Sequence, residues 1–219
     1  MKFENTKVMN FEGSIRGMRN PLESWARSDS KYDENGEYIV GPNDLGLMQR
    51  LLKASIAQGN SHSKFLRQIL VCVDITAPLY WWKETDQYRV GVTTNSESTM
   101  HRLAKTPITL DCFETDDYDP DLSLAYDRED DDYDDGLDDI SVYVEDMIMV
   151  MENLRKAYLA TDDKRYWKEL IRLLPEGWLQ KRTTTLNYQV LRQMYFDRRH
   201  HKLTEWSKSF VEWVKTLPY

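Results

Sequence analysis

A chain of 219 residues is long enough to bury a sizeable core and short enough to form one domain. With 41% hydrophobic and 12% aromatic residues it reads as globular rather than disordered. The net charge of −8 is uneven: fourteen acidic residues between Glu114 and Asp139 face one basic residue, Arg128, so that segment carries −13 and the remainder +5.

A mildly basic body suits anionic small molecules, and no direct nucleic-acid binding is expected of it. No apolar run approaches the roughly 20 residues of a membrane-spanning helix, and the start MKFENTKVMN lacks a signal peptide's apolar stretch, so no membrane partner and a cytoplasmic location are expected. Cys72 and Cys112 stand far apart without CxxC spacing. They read as buried thiols and imply neither a disulfide framework nor a metal site.

In chain order, Lys2 to Ser14 alternates loosely as an edge strand, followed by a turn-rich stretch in which Arg16 and Arg19 are placed to meet anions or solvent. Asn35-Gly36 marks a hairpin turn. Asn43 or Asp44 then caps a helix whose Leu45, Met48, Leu52 and Ile56 face the core, with Gly59 as its stop. The run from Ile69 to Ala77 sets Val71, Val73 and Ile75 against Cys72, Asp74 and Thr76, the alternation of a half-buried strand. Pro78 ends it and opens a helix carrying Trp81 and Trp82, two large core or interface anchors.

Past that helix, Arg89, Gly91 and Thr93 to Ser96 bring a guanidinium fork together with hydroxyl and backbone donors at a turn, which makes an anion cradle. An ordinary polar loop is the competing reading. The acidic run at about 112–140 reads as a solvated insertion; engagement of a basic protein surface is an alternative. Its Asp residues lack the order of a calcium loop.

Beyond it, Val144, Met147, Ile148, Met151, Leu154 and Tyr158 form a helical packing stripe. Thr161 to Asp163 caps a further helix with Tyr166, Trp167, Leu170, Ile171 and Leu174, closed by Pro175. After a threonine run, a long helix starting near Leu186 would put Asn187, Leu191, Met194 and Arg198 on one face, with the amide and guanidinium about 16 Å apart. That span suits an extended anionic ligand, and an ordinary amphipathic helix whose Arg caps a neighbouring carbonyl or pairs with a Glu is the alternative. His201 reads first as a solvated histidine, and it lies near enough to Arg198 around the helix to share its surroundings. Thr204 caps a last helix with Trp206, Phe210, Trp213, Val214 and Leu217 on one side.

From Pro175 to Arg198 the order Leu-Pro, Thr185, Asn187, Leu191, Arg198 resembles, without a gap, the C-terminal signature of the flavin-dependent thymidylate synthases. The second signature of that family, RHRxxSxNExSxRY, is matched in part. Arg89 falls on its third residue, while Gln87 and Tyr88 replace the first two. Glu84 takes the place of a preceding Gln, and Asn95 and Ser98 match after one inserted residue. Met100 replaces the last Arg, and Ile171 stands where the family has a phosphate-reaching Arg, with Arg172 next to it.

The resemblance implies an α+β fold, a small antiparallel sheet packed with several long helices, in a single domain over residues 1–219. It implies reductive methylation of dUMP or a related pyrimidine nucleotide, with FAD as cofactor, NADPH as reductant and methylenetetrahydrofolate as one-carbon donor, in a cytoplasmic homotetramer. Arg89, Asn95, Ser98 and Asn187 would hold the cofactor; Arg198, Arg172 and Ser98 would hold the nucleotide. The alternative is a non-catalytic nucleotide- or flavin-binding protein whose acidic loop engages a protein partner.

Overall fold

The computed structural model of the chain describes residues 1–58, 61–122 and 139–219. Strand β1, Lys2–Met9, ends where Asn10 turns left-handed at φ 67°, and helix α1, Phe11–Arg19, follows at once. The edge strand expected as far as Ser14 is therefore shorter. Phe11, Ser14, Ile15 and Arg19 are the buried residues of α1, spaced for one helical face rather than for strand alternation.

Arg19 is only 4% exposed, and its Nε donates to Asp44 at 2.6 Å, so it is a core ion-pair residue rather than an anion ligand. Strands β2 (Lys31–Tyr32) and β3 (Tyr38–Ile39) pair antiparallel around the expected turn, where Gly36 has φ 79°. Helix α2 runs Pro42–Gln58, so Asp44 lies inside it rather than capping it. The Asp29 carboxylate accepts from the N–H groups of Asn43 and Asp44 at 2.9 and 3.2 Å, which leaves Asp44 for Arg19. Met48 is buried, whereas Ile56 is 73% exposed, because the last turn of α2 extends past the core its stripe addresses. The Gly59 stop lies outside the described residues.

Strand β4 (Leu70–Pro78) buries Val71, Val73, Ile75 and Ala77 as the alternation predicts. Cys72, on its other face, is only partly buried, unlike Cys112. Then come α3 (Leu79–Thr85), β5 (Thr93–Ser96), α4 (Thr99–Lys105), α5 (Ile140–Thr161) and α6 (Lys164–Arg172). Strand β6 is Leu179–Asn187, helix α7 is Tyr188–Arg198, and a π-helical stretch, Glu205–Phe210, leads into α8, Val211–Lys215. The threonine run thus lies in β6, where β-branched side chains suit a pleated surface. The four-stranded sheet has the order β1-β4-β6-β5, and the fold is α+β with a small antiparallel sheet.

The chain gathers into two compact units. The first comprises Met1, Thr76–Lys83 and Ser96–Lys181. Its core joins Leu103, Ile108, Cys112, Phe113, Met151, Leu170 and Trp178, with Met147, Ile148 and Leu154 of the α5 stripe packed against it. Trp81 and Trp82 are fully buried here, and the Trp82 indole N–H donates to the Gln180 carbonyl at 3.0 Å. Asp163 caps α6 by accepting from the Arg165 N–H, as expected. Most of the acidic insertion, residues 123–138, lies outside the described residues.

The second unit comprises Lys2–Ile75, Glu84–Asn95 and Arg182–Tyr219. Phe11, Ile15, Val40, Met48, Phe65, Leu66 and Ile69 form its core. The C-terminal ridge is covered within the unit: Trp206 and Phe210 are buried, and Trp213 stacks on Phe3 of β1 at 4.6 Å. No helix among the described residues is long and apolar enough to cross a membrane.

Candidate functional site

Two ends of one helix meet one turn in the second unit. That turn, taken as residues 84–91, runs from the last two residues of α3 toward β5, and the helix is α7. At the N-terminal end, Asn187 is the N-cap rather than a residue on the helix face. Its side-chain oxygen accepts from the Val190 N–H at 3.0 Å, which satisfies one of the donors a helix start leaves open. Asn187 is buried, and its amide nitrogen faces Gly91, where an added β-carbon would lie 2.6 Å from Nδ2. Gly91 has φ 73°, so both its backbone conformation and its close neighbour require glycine.

Three turns along, Arg198 is half-buried and its guanidinium is engaged on several sides. Nη1 donates to Oε2 of Glu84, and Nε donates to the Tyr88 hydroxyl at 3.1 Å. The guanidinium carbon also lies 5.0 Å from the Trp206 ring centre and 5.7 Å from that of Tyr88. Tyr88 passes the interaction on by donating to Asp197 at 3.2 Å. Burial raises the Tyr88 pKa and outweighs the lowering by Arg198, so the phenol keeps its proton.

His201 completes the cluster. Its Nδ1 accepts from the Leu203 N–H at 3.2 Å, which places the proton of the neutral ring on Nε2, 3.7 Å from the Glu84 carboxylate. Glu84 thus sits between a guanidinium and an imidazole. Arg89 is exposed; among the described residues its guanidinium spends only Nε–H, on the Asp86 carbonyl at 3.0 Å. Asn95 is exposed on β5.

Ser98 and Arg172 belong to the first unit. Ser98 caps α4, and its hydroxyl lies 2.8 Å from His101 Nδ1. Arg172 is exposed and paired with Glu169 on its own helix. The structure therefore brings Asn187 and Arg198 onto the 84–91 turn and engages Ser98 and Arg172 locally.

Sequence reasoning missed Glu84, Tyr88 and Trp206 as partners of Arg198. It saw the first two only as departures from a signature and the third only as core. An acid and a phenol replacing a neutral amide and an arginine or histidine were themselves the signal that a guanidinium nearby needed new partners. Among the described residues no group of His, Cys, Asp and Glu could hold a metal ion.

No family model matches the sequence, and no curated protein matches it. The fold, however, is shared with solved structures. A crystal structure of thymidylate synthase X (ThyX) from Helicobacter pylori with FAD and dUMP is 17% identical, with a TM-score of 0.63, covering 100% of this chain and 94% of the other. A second structure of flavin-dependent thymidylate synthase ThyX from the same organism, complexed with FAD and dUMP, gives 16% identity at the same TM-score and coverage. What the chain shares with flavin-dependent thymidylate synthases, from end to end, is therefore their fold.

Proposed function

We propose that this chain is a flavin-dependent thymidylate synthase-like enzyme acting on dUMP or a related pyrimidine nucleotide. FAD is the cofactor, NADPH the reductant and methylenetetrahydrofolate the one-carbon donor, in a cytoplasmic homotetramer. The observation that supports this most is the meeting of α7 with the 84–91 turn at both ends, Asn187 on Gly91 and Arg198 on Glu84 and Tyr88, in a chain with the fold of an enzyme crystallised with FAD and dUMP. The two stretches that carry the sequence resemblance are adjacent in space.

The residues present fit the ligands unequally. Arg89 fits a phosphate: it is exposed and keeps both terminal amino groups for a planar, two-pronged contact. Asn95 and Ser98 add exposed polar groups. Asn187 acts as a positioning residue, since its carbonyl is committed to the helix cap while its amide sets the height of the Gly91 turn. Arg198 fits an anion by exchange, a nucleotide phosphate replacing the Glu84 carboxylate, and Arg172 would be released from Glu169 in the same way. Bound FAD would supply the redox chemistry; the chain supplies binding, orientation and charge.

The second reading, a nucleotide or flavin binder without turnover, draws on the same ion pair. A guanidinium already neutralised by Glu84 gives up part of its affinity for phosphate. Purification decides between them. A flavin band near about 450 nm, bleached by NADPH and restored by dUMP with methylenetetrahydrofolate as dTMP forms, is expected of the enzyme. A flavin that stays reduced under those conditions supports the binder, and a protein that takes up neither FAD nor dUMP overturns both readings.

A further inference from the structure

A cavity of about 870 Å³ in the second unit shares no residue with the Glu84–Arg198 cluster. Its volume lies within the range that small-molecule sites occupy. Four aromatic side chains line it, Phe11, Tyr32, Tyr38 and Tyr219, together with two carboxylates, Glu12 and Glu37, and no lysine or arginine is among its lining residues.

The rings are held in place. Tyr32 and Tyr38 meet edge to face at 5.0 Å, and Phe11 and Tyr219 do so at 5.4 Å. The Tyr32 hydroxyl donates to Glu12 at 2.8 Å, and the Tyr219 hydroxyl accepts from the Val40 N–H at 3.1 Å. Aromatic faces carry negative quadrupole density and attract a cation whose own hydration is weak. Two carboxylates add net charge of the same sign and repel phosphates, so this cavity is unsuited to the anionic ligands of the proposed reaction.

We infer that this cavity binds a small organic ammonium ion whose positive head is wrapped in methyl or methylene groups. Inorganic cations are too strongly hydrated to exchange water for ring faces, and a neutral apolar molecule would leave the two carboxylates without a counter-charge. An alkylated ammonium meets both demands, with its carbon surface on the rings and its charge facing Glu12 and Glu37.

The test compares choline with its neutral isostere 3,3-dimethyl-1-butanol on the full chain, following tyrosine ring resonances by NMR. Saturable shifts with choline are expected, with the alcohol weaker by at least about threefold, the range of a solvent-accessible cation–π contact. The double variant E12Q/E37Q should erase that preference. Glu37→Gln alone, which leaves the Tyr32–Glu12 bond in place, should reduce it in case the double variant unfolds. No saturable response to choline, equal affinity for both probes, or a preference undiminished in a folded Glu37→Gln variant overturns the inference.

Discussion

Arg198 and Glu84 stand 114 residues apart in sequence and share an ion pair that is backed by the Tyr88 hydroxyl and the Trp206 ring. At 18% and 30% side-chain exposure the pair is shielded enough for its geometry to matter and open enough for an incoming anion to compete. Glu84→Gln removes the competitor while keeping shape and one hydrogen-bonding oxygen. In the proposed reading dUMP then binds about tenfold more tightly, equivalent to about 1.4 kcal/mol, and titration calorimetry measures it. Unchanged or weaker dUMP binding by the variant would mean that the guanidinium does not receive the nucleotide.

Gly91 to Ala places a β-carbon against the Asn187 amide and forces alanine to φ 73°. Gly36 provides a control, because its φ is 79° with nothing within 4 Å of the added carbon. Both variants should lose about 1 kcal/mol from the backbone conformation. Gly91→Ala should lose roughly another 1–2 kcal/mol, because Asn187 must leave its cap on α7 to make room. Urea unfolding of the two variants separates these costs. Equal losses would show that Asn187 yields without disturbing the helix.

The legible parts of the fold were those governed by neighbours in sequence. The β4 alternation, the Asn35-Gly36 turn and the Asp163 cap depend on residues within a few positions of one another. Asn187 stood in the same class, since an Asn directly before a helix is a preferred cap, but reading the helix two residues early put it on a face instead. What stayed hidden were partnerships set by packing. Nothing local to Arg19 announces Asp44, and nothing local to Arg198 announces Glu84, because a guanidinium's choice of carboxylate depends on which elements the core brings together. The candidate site was therefore visible as two stretches and invisible as a contact.

Arg19 and Asp44 are the strongest internal test of that statement for the second unit. Asp44 is fully buried and accepts from Arg19, Ser28 and Ser30. Burial acts to raise its pKa, and the bonds from Ser30, Ser28 and Arg19 outweigh burial, so the carboxyl titrates below its usual range. Arg19→Met leaves that charge without a cation and should cost roughly 3–5 kcal/mol, whereas Arg19→Met with Asp44→Asn should recover part of the loss. Chemical denaturation of both variants checks this. A double variant no more stable than the single one would show that the hydroxyls alone carry the carboxylate.

Glu152 provides an acid-sensitive element of the first unit. Two hydrogen bonds from the Arg155 guanidinium, both 2.7 Å, are the main cause that holds its carboxyl at about pKa 2, and the Ile108 N–H at 2.9 Å adds to them against a smaller cost of burial. A carboxyl with a folded-state pKa below its unfolded one contributes stability that is complete above the unfolded value of 4.5 and is lost as pH falls through the folded value of about 2. The contribution at neutral pH is on the order of 3 kcal/mol at most. Glu152→Gln should therefore lower stability at pH 7 and make it less dependent on pH between about 4.5 and 2, with the two proteins converging at the acid end. Thermal unfolding across that range measures the convergence. Parallel curves would show that Arg155 holds the glutamine as well as the carboxylate, and that the α5 contact to Ile108 is one of shape rather than charge.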